Sequence, residues 1–539
     1  MVRAFLLFAS IFIQIFSLKA SPPGAAIVHF DKSFYVSGEV VWYKLYLPAT
    51  AQGKDFSVKV IVLGGPGQAK ESFLPVEKKG VCQGYFLIPF DALASVYTFR
   101  FSATRADGTE DELIRAYVPV YNDLNVSLEK ITVQPFLVED KVIMPNDLNV
   151  SIQLVSDAVP APRQNLQIKI NVTDQLGNPV SAEGSISITD EVLCGGKVFP
   201  KGNFQIGTVV YEKADWLSGV YKKGIVRHAD GRLMSSTLIP LLDIETHQLH
   251  FTKSSNGAFT MALPAYTGNR HLQMVGLQEE PLKVTWEDYE DNPSQGPSLT
   301  YTEGILHYLD LSRKRKKVYQ LFGQTETALN LSSPVVKPVE WKGKQFYKVQ
   351  NYERFPDLAT FFQEVIWRVK FSKKGDRFTA KMYNVDTHAD FEEAPLFLID
   401  QKASFDADFI ARLDPAGIQS IELLFEPKLL RKFYPAIGGG GVVRIKTLAG
   451  NQKLPSEKEP ELLNLQGQLL PAMFPSPSPE GQPHLRPVIY WQPSFSTDKT
   501  GAVTIPFAHT EDRSTFCAEI MVQGPDGRRG YARFCYKVD

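Results

Sequence analysis

Four consecutive glycines in the stretch YPAIGGGGVVRIKT, residues 434–447, are the first feature that could carry chemistry. Glycine-rich loops bind phosphate when their backbone amides lead into a helix and Lys with Ser or Thr completes the site. Here the glycines lead into alternating apolar residues, and no Gly-Lys-Ser/Thr follows them. We therefore predict a turn into a strand over 442–446, paired near 418–425, and no phosphate site.

Two further groups have the side chains of metal ligands without a suitable spacing. His247 and His250 in THQLHF lack the Glu of a His-Glu-x-x-His zinc site, and their strand-like surroundings place them on opposite faces. The acidic run DTHADFEE, residues 386–393, matches no calcium loop. The sequence also offers no serine elbow and no cysteine in a reactive context. We predict no catalytic residue, no metal site and no cofactor.

The cysteines favour one disulfide. In the C-terminal stretch, the sequence GPDG at 524–527 predicts a tight hairpin turn, and counting outward from it places Cys517 opposite Cys535. Directly opposed residues in an antiparallel pair approach closely enough for a disulfide. The alternative is a slipped register with two free thiols. Cys82 and Cys194 lie in different predicted domains, and their pairing stays open.

The composition indicates an exported protein of several domains. A chain of 539 residues suggests three to five domains, and 58 Lys plus Arg against 59 Asp plus Glu give no field that favours nucleic acid or an anionic membrane. Residues 1–20 combine Arg3 with an apolar run too short to span a bilayer, which is typical of a secretory signal peptide. A retained anchor is the alternative. We expect an oxidising compartment and no membrane span after signal removal.

The elements around these residues are mainly strands. Alternating apolar residues predict a β-sandwich over 25–121, a second over 122–200 and a β-domain over 205–278. A linker or irregular region follows over 279–345, and its basic run SRKRKK is typical of a solvated face. Residues 346–450 predict an α+β domain whose helix is capped by Asp357 and keeps helical apolar spacing to Val369.

The C-terminal part is expected to consist of a Pro-rich linker over 451–487 and a β-domain over 488–539. Four strands scarcely make an independent sandwich, so the alternative is that the α+β domain is inserted into a β-domain begun upstream. The fold class is mainly β, with several immunoglobulin-like sandwiches and one α+β domain.

The opening HFDKSFYVSGEVVWYKLYL resembles the start of an alpha-macroglobulin-type domain, through Asp31, Lys32, Tyr35, Gly38, Glu39 and Trp42. The resemblance implies macroglobulin-like sandwiches over 25–121 and 122–200, and 205–278 is similar to small carboxypeptidase-regulatory-like β-domains. Some macroglobulins trap proteases through a thioester between a Cys and a Gln three residues later. Cys194 is followed at that position by Lys197, so no thioester is expected.

The region 346–450 resembles the plug domain of TonB-dependent outer-membrane transporters. The matching residues are Pro395, Leu396, Ile399, Asp400, Ile418, Ile421, Glu422, Tyr434, Gly441, Val443, Ile445 and Thr447. Gln401 stands where the pattern has Gly, and Pro435 follows the tyrosine, so the local turns are expected to differ from the pattern. The C-terminal domain is similar to the terminal β-domain of bacterial envelope proteins with this architecture, through Tyr490, Trp491, Pro493, Asp498 and Gly501.

These resemblances imply a non-enzymatic, exported protein of the bacterial cell envelope, in the periplasm or at the outer-membrane surface. Its expected role is binding or scaffolding of other envelope proteins, including an accessory role beside a TonB-dependent transporter. One alternative is a macroglobulin-like protease-binding protein without a thioester. A second is a hydrolase with an unrecognised site.

Overall fold

The computed structural model describes residues 25–64, 69–124, 144–156, 159–195, 204–210, 215–228, 230–275, 283–287, 298–323, 329, 345–454, 462–475 and 481–539. The expected signal peptide at 1–20 lies outside these residues. Strands dominate the described part, so the mainly β fold class is confirmed. None of its helices combines the length and apolar character that a bilayer crossing requires.

The first part of the chain contains β1 (Ala25–Phe30), β2 (Tyr35–Val36), β3 (Val40–Tyr46), β4 (Ser57–Leu63), β5 (Ala69–Pro75), β6 (Val81–Leu87), β7 (Ser95–Thr104), β8 (Glu110–Tyr121), β9 (Asn149–Val155), β10 (Asn165–Thr173), β11 (Glu183–Asp190), α1 (Glu191–Cys194), β12 (Phe204–Val210), β13 (Val220–Arg227), β14 (Leu238–Asp243), β15 (Leu249–Lys253), β16 (Ala258–Leu263), β17 (Asn269–Met274) and β18 (Lys283–Trp286). The second part contains α2 (Glu303–Leu321), β19 (Gln345–Lys348), α3 (Leu358–Val365), β20 (Val369–Lys374), β21 (Arg377–Asn384), β22 (Ala389–Asp390), β23 (Leu396–Ile399), β24 (Lys402–Ser404), α4 (Ala407–Ala411), β25 (Ile418–Leu424), α5 (Pro427–Phe433), β26 (Val442–Thr447), β27 (Leu462–Gln466), β28 (Val488–Ser496), β29 (Ala502–Ala508), β30 (Thr515–Gln523) and β31 (Arg529–Lys537).

The first sandwich packs the sheet β2-β8-β7-β4-β5 on the sheet β12-β1-β3-β6. Its core is rich in aromatic rings, and Tyr43 contacts both Phe99 and Phe101 with ring centroids 5.8 and 5.5 Å away. Strand β12 was expected in the domain over 205–278. It pairs instead with β1, where Val28 faces Gln205, so the first sandwich includes a strand from beyond the second.

The sheet containing β1 and β3 is buried on both faces, because a second sandwich covers the face that the first core leaves free. Every residue of both strands is buried. On the covered face, the Lys44 ammonium donates to the Gly184 carbonyl at 3.0 Å, and the Tyr46 hydroxyl donates to the Met521 carbonyl at 3.0 Å. Polar residues in a fully buried strand thus find their partners across the interface.

The second sandwich is discontinuous in sequence. It packs β29-β10-β9 on β28-β11-β30-β31, and β11 lies between β28 and β30. Its core joins Ile168 and Ile186 to Ile505 and Ile520 from the C-terminal segment. The described strands of 488–539 therefore share sheets and a core with β9, β10 and β11, and the described elements from β12 to β27 lie between the two parts of this sandwich in sequence.

A third β-unit packs β16-β13-β18 near β15-β14-β17-β27. Strand β27 comes from the region expected to be a Pro-rich linker, and Leu272 of β17 faces its Leu463. The linker prediction for 451–487 is therefore wrong for this stretch, in which Leu465 is buried in the core that contains Leu272 and Leu463 packs against that core.

Helix α2 occupies the region expected to be a linker or irregular. Thr302 caps its first turn by accepting from the Ile305 amide at 3.2 Å. The spacing of apolar residues does not predict this helix, because its buried stripe combines apolar residues with polar ones, among them Ser312 and Arg315. The basic run is consequently not a purely solvated face: Arg315 is buried, and Lys316 forms an ion pair with Asp123.

The α+β unit contains the sheet β19-β25-β26-β23-β24 and the smaller sheet β20-β21-β22. The Asp357 carboxylate caps α3 by accepting from the Thr360 amide at 2.8 Å. The helix ends at Val365, earlier than its apolar spacing predicted, and Val369 begins β20. Strand β26 pairs antiparallel with β25, as predicted.

Candidate functional site

The glycine run forms a turn against which neighbouring atoms pack too closely for larger side chains. Gly441 has φ of 89°, in the left-handed region that favours glycine. A Cβ at Gly439 would lie 2.3 Å from a Glu393 carboxylate oxygen, and one at Gly440 would lie 2.2 Å from the Ala394 carbonyl oxygen. A strand follows the glycines, so no helix N-terminus is present to hold phosphate.

One of the two departures from the plug pattern lies at left-handed backbone, and the other directly precedes a residue with left-handed backbone. Gln401, which stands where the pattern has Gly, has φ of 80°, and the preceding Asp400 has φ of 42°. The Asp400 carboxylate accepts from the Thr447 amide at 2.8 Å and from the Gln452 amide at 2.9 Å. After Pro435, Ala436 has φ of 65°. The turn at 401 therefore keeps a conformation that suits Gly, although the residue has changed.

The structure does not bring the candidate metal ligands together. His247 lies in the turn before β15, and His250 lies opposite Leu241 on that strand. Burial, with added repulsion from nearby Arg residues, lowers the pKa of both histidines. The acidic run over 386–393 is exposed beside β22. Within the described residues, no three His, Cys, Asp or Glu side chains are grouped as a metal site would need.

The cysteines divide into a bonded pair and two buried thiols. The hairpin of β30 and β31 has Cys517 opposite Cys535, the register counted from the turn, and their sulfur atoms are bonded at 2.02 Å. Cys82 and Cys194 are free and buried. Burial raises the pKa of Cys194 to about 12 and also raises the pKa of Cys82. A thiol held neutral in this way is a poor nucleophile.

The motif at the start of the first sandwich forms a buried junction with α2. Lys32 Nζ lies 2.5 Å from Glu39 Oε2 and 2.9 Å from the Tyr308 hydroxyl oxygen. The Tyr308 hydroxyl lies 3.0 Å from the second oxygen of Glu39. Asp31 accepts from the Tyr35 hydroxyl at 2.5 Å and from the Trp42 amide at 2.9 Å. The motif residues therefore connect the start of the first sandwich to α2.

Electrostatics distinguish the two carboxyl groups of this junction. Burial raises the pKa of Asp31 to about 7, although Lys32 and the hydrogen bond from Tyr35 oppose the shift. Burial also disfavours ionisation of Glu39, but Lys32 and Arg315 outweigh it and hold the pKa of Glu39 below its usual value. Because each carboxyl group has its partners inside the fold, we assign the junction a structural role.

A groove of about 640 Å³ lies between the two sandwiches. We call it the aromatic groove and define it by five of its lining residues: Trp42, Phe474, Tyr490, Trp491 and Phe507. Strands β28 and β29 are edge strands of facing sheets, and Trp42 of the first sandwich contacts Phe474 with ring centroids 5.9 Å apart. Tyr490 and Phe507 contact each other at 5.8 Å.

The groove suits binding better than proton transfer. Its described lining contains no Asp, Glu, His, Lys, Arg or Cys, and its polar groups include the amides of Gln83, Asn165 and Gln492. The Trp491 side chain is buried, and its indole N–H finds no acceptor among the described residues. A buried donor without an acceptor is uncommon in folded proteins.

Sequence reasoning identified only part of the groove. The resemblance at the C-terminus singled out Tyr490, Trp491 and Pro493, all of which line it. Phe474 and the 77% exposed Met473 lay in the expected linker. Two aromatic or sulfur-containing side chains in a Pro-rich stretch were the available signal, since such residues are rarely left to solvent without a reason.

The fold is that of a mainly β protein of several packed domains with a groove between two of them. No family model and no curated protein matches the chain. The solved structures that it resembles include Escherichia coli alpha-2-macroglobulin activated by porcine elastase, at 9% identity over 95% of this chain and 43% of that chain with a TM-score of 0.25. They also include Salmonella alpha-2-macroglobulin reacted with methylamine, at 10% identity over 97% of this chain and 40% of that chain with a TM-score of 0.24. The chain thus spans about two fifths of these proteins, and such low TM-scores carry no argument about function.

Proposed function

We propose that the protein is a non-enzymatic, exported binding or scaffolding protein of the cell envelope, and that its partner is another polypeptide. The single observation that carries the proposal is the aromatic groove. Aromatic rings supply large contact area at low entropic cost, and interface centres are enriched in Trp, Tyr and Met. Met473 is exposed at the groove, and the exposed amide side chains of Gln83 and Asn165 can supply hydrogen bonds to the bound chain.

A rigid scaffold favours this use of the groove. The two sandwiches are joined through a sheet that is buried on both faces, and the Arg529 guanidinium of β31 donates to the Leu47 carbonyl of the first sandwich at 2.8 Å. A site whose walls are held in this way loses little conformational freedom when a partner binds.

The test uses the exposed Met473 at the groove. A photo-crosslinking residue at position 473 is expected to capture an envelope polypeptide that the same residue at Leu176, which is 87% exposed in a turn of the second sandwich, does not capture. In a separate pull-down with chains that carry no crosslinking residue, Met473→Arg should reduce recovery of that polypeptide at least about tenfold, because a charge in an apolar contact must be desolvated. Leu176→Arg is the matched control. Equal capture by both variants would exclude the groove as the binding site.

The identity of the partner is a finer part of the proposal. The resemblance of 346–450 to a plug domain supports an accessory role beside a TonB-dependent transporter. Deletion of these residues should then abolish recovery of a transporter from envelope extract while capture at the groove persists. Recovery of the transporter by the deleted chain would contradict the accessory role and leave the groove proposal intact.

Protease binding is the second candidate, favoured by the intact ion cluster of the macroglobulin-like opening motif. The solved structures of alpha-2-macroglobulin include a form activated by porcine elastase, and that protease is a suitable probe. If the candidate is correct, nicking by elastase leaves the protease associated with the chain on gel filtration and reduces its activity on large protein substrates. Separate elution of a fully active protease would exclude it.

A further inference from the structure

The hairpin of β20 and β21 has one face that carries four cations, bordered by Asp390, which lies opposite Tyr383 on β22. Its opposite face is buried, where Val369, Ala380 and Met382 join the core of the α+β unit. Because side chains alternate along a strand, Lys370 and Lys374 of β20 share the exposed face with Arg377 and Lys381 of β21. We call this surface the cationic face.

The strand register places like charges directly opposite each other. Lys370 faces Lys381, and Lys374 faces Arg377. Like charges in this position destabilise a sheet. Within the described part of the chain, none of the four forms an ion pair, and the nearby Asp408 carboxylate is engaged by Arg412 at 3.1 Å. Lys381 Nζ donates to the Glu392 carbonyl at 3.3 Å, so the fold keeps four cations on one strand face with no carboxylate ion-paired to them among the described residues.

An aromatic pair borders the same surface. Tyr383 continues the alternation of Arg377 and Lys381 along β21, and its ring lies 5.7 Å from that of Trp367. Trp367 is 55% exposed, an unusual position for the largest apolar side chain. Tryptophan and tyrosine beside Lys and Arg are the combination found at the boundary between lipid and water, where the rings enter the headgroup layer.

We propose that the cationic face docks on a bilayer surface that carries anionic lipid phosphates, with Trp367 entering the headgroup layer. Four cations spread along two paired strands fit an array of phosphates better than a single bound anion. Charge complementarity selects the surface, and the aromatic pair fixes the depth of contact. The proposal does not depend on the aromatic groove, which lies between the two sandwiches.

The test is sedimentation of the full chain with lipid vesicles. We expect binding to vesicles of phosphatidylglycerol and phosphatidylcholine, little binding to phosphatidylcholine alone, and loss of binding as salt screens the charges. The fourfold variant Lys370→Gln, Lys374→Gln, Arg377→Gln and Lys381→Gln should bind roughly 100-fold more weakly, since each cation near an anionic surface contributes to the affinity. All four side chains are exposed and their removal relieves repulsion between opposed like charges, so thermal stability should not fall.

The matched control removes the same charge from elsewhere on the exposed surface, through Lys169→Gln, Lys253→Gln, Lys428→Gln and Lys499→Gln. It should bind like the parent. Tryptophan fluorescence should shift to the blue on binding, and Trp367→Phe should remove most of that shift. Equal binding to neutral vesicles, equal loss in the control, or preferential binding of soluble heparin or DNA would each overturn the proposal.

Discussion

Charged and polar residues in the interior of this protein act mainly as structural connectors. Lys32 and Glu39 form hydrogen bonds to each other and to Tyr308, which comes from a distant part of the chain. His29 is fully buried, its Nδ1 lies 2.7 Å from the Ser185 hydroxyl oxygen, and burial lowers its pKa well below the usual value. Such groups are costly to bury, and the cost is offset only when every partner is in place.

Asp31→Asn is expected to remove a pH dependence of stability. Burial raises the pKa of Asp31 to about 7 in the folded protein, from 3.8 in the exposed chain. Between these values the folded state keeps the proton and the unfolded state releases it, so the stability of the parent relative to the variant falls as pH rises from about 4 to 7. Urea unfolding at several pH values measures this difference. A constant difference would contradict the raised pKa.

Gly440→Ala tests the close approach in the glycine run. Its Cβ would lie 2.2 Å from the Ala394 carbonyl oxygen, whereas a Cβ at Gly417 would meet no atom within 4 Å. Neither residue has positive φ, so the comparison isolates packing. Gly440→Ala should cost about 1 to 3 kcal/mol in the free energy of unfolding. Gly417→Ala should change it by less than about 0.5 kcal/mol. Equal effects would contradict the steric account.

Strands and helices differ in how well their pattern of apolar residues predicts which of their faces are buried. Strand β10 alternates buried and exposed residues, because only one of its faces meets a core. Strand β3 is buried throughout and reads as a continuous run, because both of its faces are covered. Helix α2 lies between these cases: its buried stripe is anchored by polar contacts, and the pattern of apolar residues alone does not reveal it.

Lys316→Ala should loosen α2. Lys316 Nζ lies 2.7 Å from the fully buried Asp123 carboxylate and donates to the Ser37 carbonyl at 2.8 Å. Its removal leaves a buried carboxylate without its ammonium partner, which should cost about 3 kcal/mol. Lys314→Ala on the same helix removes only an exposed pair with Asp310 and should cost less than about 0.5 kcal/mol. Hydrogen exchange of the α2 amides measures the effect of each variant. Equal protection in the two variants would contradict the stabilising role of the ion pair between Lys316 and Asp123.

The whole molecule is held together by strands that return to earlier domains. The second sandwich needs the C-terminal strands, since Ile168 of β10 faces Ile505 of β29. The third β-unit needs β27, and the first sandwich needs β12. Charge is distributed at this scale too: a chain with almost no net charge collects four cations on one hairpin face.

Removal of residues 488–539 should therefore unfold the second sandwich while the α+β unit stays folded. We expect rapid proteolysis within 144–195, because β10 and β11 lose their partners and expose apolar side chains. Deletion of 346–450 is the control, since it removes no strand of that sandwich. Addition of the missing segment as a separate chain should restore protection. Resistance of 144–195 to protease in the truncated chain would contradict the discontinuous sandwich.

The sequence by itself determined features that depend on a few neighbouring residues. Three such features lie where the sequence pattern predicts them. They are the cap by Asp357, the turn at 524–527 with its register, and the strand that follows the glycines. Turn geometry and alternation act over short distances, so they can be read without the rest of the chain. Strand content was predictable for the same reason.

Only the tertiary structure decided which distant residues share a surface. The aromatic groove combines Trp42 with Phe474 and Tyr490, and the cationic face depends on a register that puts Lys370 beside Lys381. Domain limits failed where a strand such as β12 or β27 joined a sheet formed by earlier residues. Burial against a partner far along the chain leaves no local periodicity, and net charge does not record how the charges are arranged.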